Sequence, residues 1–262
     1  MTKEDLFVHV LGSCETMANT SIICTGKTGA LTQNEMTVFA GTVGVHSKFV
    51  RRLEASRERV GSEARSNFNT KEFDLDLANL NFVLPSPLKN LFNAAIAVNT
   101  TAFKDVNPES GVPEFFGSKT ESALLGFAKE LGWPNYKATR VSADIVQIIP
   151  FSSYRKSMGC VVRLPDGSHR LYVQGASEIL ARYSTCHVVH NDSPPSANEV
   201  ETAPIEELEE DKISHTIALY ASQKLRTIVL CYRDFSAWPP EGVHFLGNDE
   251  ASKRVTVPVF DG

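Results

Sequence analysis

The sequence predicts an α+β fold, an antiparallel β-sheet with helices grouped beside it. Three observations predict it. From Ser142 onward the apolar residues recur with period two, over 145–150, 157–164 and 169–173, as in strands with two distinct faces. Leu164-Pro165-Asp166-Gly167-Ser168 joins the last two runs, and its Asp-Gly pair is hairpin-turn chemistry. The helical segments fall in groups, an order that fits α+β better than a repeating βαβ pattern.

Taken in order, residues 4–18 read as a short helix or turn, and the β-branched run at 20–24 as a buried strand. That run breaks at Thr25-Gly26-Lys27-Thr28-Gly29, a loop of small and hydroxyl residues. Residues 35–45 read as a second strand. Over 46–80 the mixed charges of Arg51, Arg52, Glu54, Arg57, Glu58 and Arg59 read as the solvated face of a helix, followed by a loop. After Pro85-Ser86-Pro87, the residues Leu88, Leu91, Phe92, Ala95 and Ile96 recur at helical spacing. Residues 100–117 then read as a connecting loop.

Ser118 with Glu121 three residues on makes a capping box for the next helix. Ala123, Leu124, Phe127 and Ala128 are its expected buried face, and Gly132 its stop. Further on come a short helix at 176–183, a Ser/Pro/Asn loop at 191–203 and an amphipathic helix at 206–224, acidic in its first turns as the helix dipole favours. Residues 227–233 form a last strong strand. The tail from Trp238 is irregular, with one strand expected at 254–260. The expected divisions are 1–38, 39–236 and 237–262.

Composition narrows the function. A chain of 262 residues has ample core for one large domain or two smaller ones. Its net charge of −5 argues against nucleic acid or an anionic membrane surface as partner. No run approaches the roughly 18 apolar residues of a membrane span. The first residues lack a basic segment before an apolar one, so no secretory signal and a cytoplasmic location are expected. The five cysteines are scattered without a CxxC pair, which suits reduced thiols and gives no zinc site. His187 and His190, flanking Val188-Val189, are read as surface residues, and no metal site is expected.

A strand feeding a Gly/Thr/Lys loop is where α/β proteins place phosphate chemistry, although the GxxxxGK[ST] spacing of a P-loop is absent. Lys27-Thr28-Gly29-Ala30-Leu31-Thr32 resembles the signature of P-type cation-transporting ATPases, in which a phosphorylated Asp precedes the Lys. Gly26 stands in that Asp position. Further motifs follow in order. Leu11-Gly12-Ser13-Cys14-Glu15-Thr16-Met17 looks like the approach to the phosphorylation strand, and Gly117-Ser118-Lys119-Thr120-Glu121 resembles an adenosine-side motif. Pro150-Phe151-Ser152-Ser153-Tyr154-Arg155-Lys156 resembles the segment whose Phe stacks on adenine and whose Lys lies by the nucleotide. Gln174-Gly175-Ala176-Ser177-Glu178 sits where the family carries Lys-Gly-Ala, and Leu225-Arg226-Thr227 with Tyr232-Arg233-Asp234-Phe235 completes the run. The resemblance is closest to calcium pumps of the fungal and plasma-membrane type. It implies the start of a phosphorylation domain followed by a nucleotide-binding domain, as a stand-alone degenerate soluble protein.

The departures shape the expected chemistry. A hydrogen at Gly26 cannot attack a γ-phosphate, and phosphoryl transfer needs a nucleophile, a metal site and charge-neutralising donors. The family's TGE loop and its later TGDN and GDGxND motifs are absent from these residues. Neither ATPase activity nor ion transport is therefore expected of this polypeptide alone. Ala30 replaces a phosphate-contacting Thr of the family, and Tyr154 an acidic or polar residue. Gln174 exchanges a cation for an amide, removing charge-assisted bonds worth about 1.5–3 kcal/mol each.

The expected ligand site comprises Glu121, Phe151, Arg155, Lys156, Gln174, Gly175 and Arg226, for a small organic ligand or, weakly, ATP or ADP, with no other cofactor. A core aromatic competes with the stacking role for Phe151, and a capping role with the ligand role for Glu121. A second reading is a repurposed isomerase, lyase or cyclase using Tyr154, Lys156, Glu121 or Arg226 as donors. A third is a regulator pairing with a full-length pump. Strand 20–24, left without its family neighbours, is expected to pair with the tail strand or to drive homo-oligomerisation.

Overall fold

The computed structural model describes residues 12, 17–22, 24–26, 35–51, 73–106, 108, 111, 113–189, 200–241, 245–246 and 254–255. The chain divides into two units, Met1–Glu35 and Met36–Gly262.

In the first unit the expected strand at 20–24 is not formed: residues 20–22 and 24 are irregular, after a turn in which the Thr20 amide donates to the Met17 carbonyl. A β-branched run becomes a strand only beside a neighbour that takes its backbone bonds and covers one face. Among the described residues of this unit no strand lies beside it, and Ile22 stays 77% exposed. Gly26 is followed by the signature residues 27–34, which lie outside the described residues, as do 52–72.

The second unit begins with a hairpin, β1 (Ala40–Val43) and β2 (Ser47–Val50), turning through Gly44 at φ +64°. The helix expected after residue 46 thus yields at its start to a strand, because Phe49 and Val50 are buried and need a sheet neighbour. β3 (Leu75–Asp76) pairs parallel with β2. Asp76 then accepts the Ala78 amide at 2.9 Å and caps a 3-10 turn that runs into α1 (Leu80–Val83). The helix expected after Pro85 is α2 (Ser86–Val98), with Pro87 in its first turn, where a missing N–H costs nothing.

Residues 100–117 are not a plain loop: β4 (Phe103–Val106) and β5 (Pro113–Phe116) form a hairpin in which Phe103 stacks on Phe116. Helix α3 (Lys119–Glu130) stops at Gly132, φ +69°. Ser118 is its N-cap residue but makes no side-chain capping bond, so the expected capping box does not form; Glu121 points inward instead. A helix of about two turns, α4 (Tyr136–Ser142), precedes the main sheet.

That sheet has four antiparallel strands: β6 (Asp144–Ser152), β7 (Ser157–Arg163), β8 (His169–Ala176) and, after α5 (Ser177–Tyr183), β9 (Cys186–Val188), β10 (Thr202–Pro204) and α6 (Glu207–Ser222), the strand β11 (Ile228–Phe235). Their order is β11-β8-β7-β6. β9 and β10 make a separate antiparallel pair. The tail strand is β13 (Arg254–Val255), and it pairs with β12 (Phe245–Leu246), not with residues 20–24.

Six of the seven residues of β7 are buried, because both faces of the sheet are covered. On one face Ala95 and Val98 of α2 meet Cys160, Val162 and Tyr172. On the other, Leu180 of α5 and Trp238 meet Ile149, Val161, Leu171 and Val173. Across β8 and β11, Arg170 makes a two-pronged ion pair with Asp234 at 2.6 and 2.8 Å and lies over the Tyr232 ring. A third core joins α2 and α3 to the first hairpin. There Phe127 packs on Phe49, Phe92 and Trp133 with ring centroids 5.6–5.9 Å apart, burial that contributes about 1.5–3 kcal/mol for one such side chain. Helices beside an antiparallel sheet make this an α+β fold, and among the described residues no helix is long and apolar enough to cross a membrane.

Candidate functional site

The residues singled out in the sequence gather at one end of the main sheet. β6 is an edge strand that departs twice from regular register with β7, between Ile145 and Gln147 and between Ile149 and Ser152. An extra residue bends a strand and re-aims its side chains. At the second irregularity lies Pro150, a residue without an N–H that an edge strand tolerates. The Arg155 side chain reaches back from the following turn and donates from Nη2 to the Pro150 carbonyl at 2.9 Å. Phe151, next to that tethered carbonyl, is 59% exposed, not a core aromatic.

The turn 153–156 closes with the Lys156 amide donating to the Ser152 carbonyl at 2.7 Å. Lys156 itself has φ +55°, in the left-handed region that costs a side-chain-bearing residue about 1–2 kcal/mol. Its carbonyl accepts the Ala176 amide at 3.0 Å, and its side chain is exposed. Tyr154 is 89% exposed, and among the described residues its hydroxyl makes no hydrogen bond.

From there the register runs straight across the sheet. Ser152 faces Ser157, Ser157 faces Gly175, and Gly175 faces Val229. A Cβ on Gly175 would sit 2.5 Å from the Lys156 carbonyl oxygen, so the close approach of the turn requires glycine there. In the adjacent row Met158 faces Gln174, which faces Leu230. Gln174 is buried; its Nε2 donates to the Met158 sulfur at 2.9 Å and its Oε1 meets no donor. Where the resemblance implies an exposed cation, the amide is folded into the sheet layer.

Two more elements complete this end. Ser177 and Thr227 share a hydroxyl hydrogen bond of 2.6 Å between the start of α5 and the start of β11. Arg226, exposed, donates from Nη1 to Thr120 Oγ1 at 3.5 Å and so links the β11 entrance to the first turn of α3. One residue on, Glu121 is buried, and its Oε2 accepts from the Thr100 hydroxyl, the Thr101 amide and hydroxyl, and the Ala102 amide. These bonds pin the segment between α2 and β4.

The structure thus brings Phe151, Lys156 and Arg226 to one sheet end with their side chains exposed, buries Gly175 beneath the Lys156 turn, and turns Arg155, Gln174 and Glu121 toward the protein. Thr120, Ser177 and Thr227 lie within the motifs that carry the family resemblance, but single hydroxyls have no spacing signal that would assign them a role of their own. Gly26 belongs to the other unit. It is exposed, accepts a bond from the Thr25 hydroxyl at its own carbonyl, and has open space where a Cβ would stand.

This antiparallel sheet, flanked by helices and ending in an exposed ring and two exposed cations, has the α+β fold of a nucleotide-binding domain. The family model described as P-type ATPase, cytoplasmic domain N matches residues 87–257, and the chain belongs to that family. Calcium-transporting ATPase 2 of Cryptococcus neoformans is 52% identical to it over 251 residues, which is 95% of this chain and 18% of that protein. Calcium-transporting ATPase 2 of Schizosaccharomyces pombe is 37% identical over 256 residues, 97% of this chain and 19% of that protein. Plasma membrane calcium-transporting ATPase 4 of Homo sapiens is 32% identical over 248 residues, 92% and 17%. The chain spans about one fifth of the length of the curated relatives it matches.

Proposed function

We propose that the chain binds adenine nucleotides at the end of the main sheet and does not transfer their phosphate. The observation that carries this reading is Phe151, a 59% exposed ring at a strand irregularity whose backbone is tethered by Arg155. A large ring held in water by a dedicated bond is a stacking platform for a flat base. Lys156 and Arg226 stand on the same sheet end and supply cations for the phosphates. Gly175, buried under the Lys156 carbonyl, lets the turn that carries Lys156 lie close against the sheet.

The chemistry stops at binding because Gly26 offers no carboxylate to a γ-phosphate. The site also binds more weakly than one with a lysine in place of Gln174. Loss of a charge-assisted bond of about 1.5–3 kcal/mol lowers affinity roughly ten- to a hundredfold. The names of the relatives, calcium-transporting ATPases, fit a module that served a pump's nucleotide step.

Chemical-shift mapping with ADP tests the location. Perturbations centred on Phe151, Lys156, Gly175 and Arg226 are expected. A map centred elsewhere, or no perturbation at millimolar ADP, overturns the reading.

A further inference from the structure

Two side chains at this sheet end have the chemistry to tell one base from another, and both are withdrawn from it. Adenine and guanine present a similar flat ring and the same N7 acceptor, and differ at one edge: an amino donor in adenine, a carbonyl acceptor in guanine. Choosing between them takes an acceptor or an amide fixed at that edge. A site built in that way rejects the mismatched ligand by roughly ten-thousandfold.

Glu121 and Gln174 could do this, and neither is placed to. Glu121 is 6% exposed, and its Oε2 already takes four donors from residues 100–102. Gln174 lies one row inside the sheet end and is 5% exposed. Its Nε2 is given to the Met158 sulfur, and its Oε1 is closed to solvent. What stays accessible does not discriminate. The exposed Phe151 ring can stack on any base, since every base has a π-face. The Tyr154 hydroxyl both donates and accepts, so it serves either edge. Lys156 and Arg226, both exposed, only donate, and the phosphates expected opposite them are common to all nucleotides.

We propose, resting on the nucleotide reading above, that this sheet end binds purine nucleoside polyphosphates as a class, guanine nucleotides as well as adenine nucleotides. Stacking on Phe151 and charge at Lys156 and Arg226 set the affinity. With Glu121 engaged by the chain's own donors and Gln174 by Met158, the identity of the base is not read.

Calorimetric titration of the full chain with ATP, GTP and inorganic tripolyphosphate tests it. ATP and GTP are expected to bind within about threefold of one another. Tripolyphosphate, which carries the charge without the ring, is expected to bind at least about fivefold more weakly, the lower end of what one stack contributes. Phe151→Ala lowers the affinity for ATP and GTP by the same factor. Glu121→Gln and Gln174→Met leave the ratio of the two affinities within about twofold of the parent. A ratio measured on one preparation is insensitive to loss of folded protein, so a weakened fold does not blur the result. Phe151-dependent binding of ATP with affinities for ATP and GTP about tenfold or more apart, or a ratio that shifts as far in either variant, overturns this inference and leaves the nucleotide reading in place. No binding of ATP or GTP, or tripolyphosphate bound as tightly as ATP, overturns both.

Discussion

Gln174 donates its side-chain amide to the sulfur of Met158 at 2.9 Å across adjacent strands, leaving its own oxygen buried without a donor. A buried acceptor left unpaired costs about 1–3 kcal/mol. Gln174→Met, close in shape and without the stranded oxygen, is therefore expected to raise stability by roughly 1–2 kcal/mol. Because the amide faces the sheet layer, nucleotide affinity should change less than about threefold, under 1 kcal/mol. Urea unfolding and calorimetry on the same variant check both halves; a large loss of affinity with no gain in stability would return Gln174 to the ligand.

Two lysines occupy left-handed backbone, Lys156 at φ +55° and Lys224 at φ +60°. Lys224 sits just past α6, where the Leu225 amide bonds the Tyr220 carbonyl and the Lys224 amide the Ala221 carbonyl, the Schellman pattern that favours glycine. Glycine at either position should stabilise by about 1 kcal/mol. The two then part company: Lys224→Gly leaves nucleotide binding intact, whereas Lys156→Gly weakens it while the fold gains. Melting temperatures paired with ADP titrations read the difference.

Glu121 gathers four donors on one oxygen. Glu121→Ala strands the Thr101 amide, leaves the Ala102 amide only the Thr100 hydroxyl, and is expected to cost roughly 2–4 kcal/mol. Glu121→Gln keeps an acceptor in place and should cost about half as much. Equal, small effects from both in urea unfolding would show that the carboxylate does not hold the segment between α2 and β4.

Stability should fall on the alkaline side. Burial pushes the Cys160 thiol up to about 11 from 9.0, with Arg140 pulling weakly downward. Burial also raises Cys231, against a Ser184 hydrogen bond, and Tyr172, against the Arg170 charge. Each group keeps its proton in the folded chain at a pH where the unfolded chain has lost it. The linkage slope is therefore negative above the unfolded value: this stability is fully present below about pH 8 and drains away between pH 9 and 11. Cys160 alone accounts for about 2–3 kcal/mol by pH 11. Urea midpoints measured from pH 7.5 to 10.5 should decline, and less steeply in Cys160→Ala.

The main sheet and its helices were legible because period-two runs, an Asp-Gly turn and the apolar spacing of α2, α3 and α6 are local signals. What the sequence hid was tertiary. β2 lies in a charged stretch and is a strand only because Phe49 and Val50 find a core. The hairpin of β4 and β5 has no strong turn pair. Residues 20–22 have strand composition, but among the described residues of their unit no strand pairs with them. At the proposed site, residue type singles out Phe151 and Gly175, but orientation, exposed for Phe151 and buried for Gly175, decides what a ligand meets. Ser118 and Glu121 have the spacing of a capping box, yet the buried amides of the preceding segment outbid the helix end for the carboxylate.

The central claim is nucleotide binding on Phe151 without phosphoryl transfer, and titration calorimetry with ATP tests it most directly. The parent chain is expected to bind ATP in the micromolar to low millimolar range. Phe151→Ala should weaken that binding roughly five- to 150-fold, since a lost base stack is worth about 1–3 kcal/mol. Unaltered affinity in Phe151→Ala, or no heat of binding up to 10 mM ATP, an upper limit of about 3 kcal/mol of binding energy, would contradict the account.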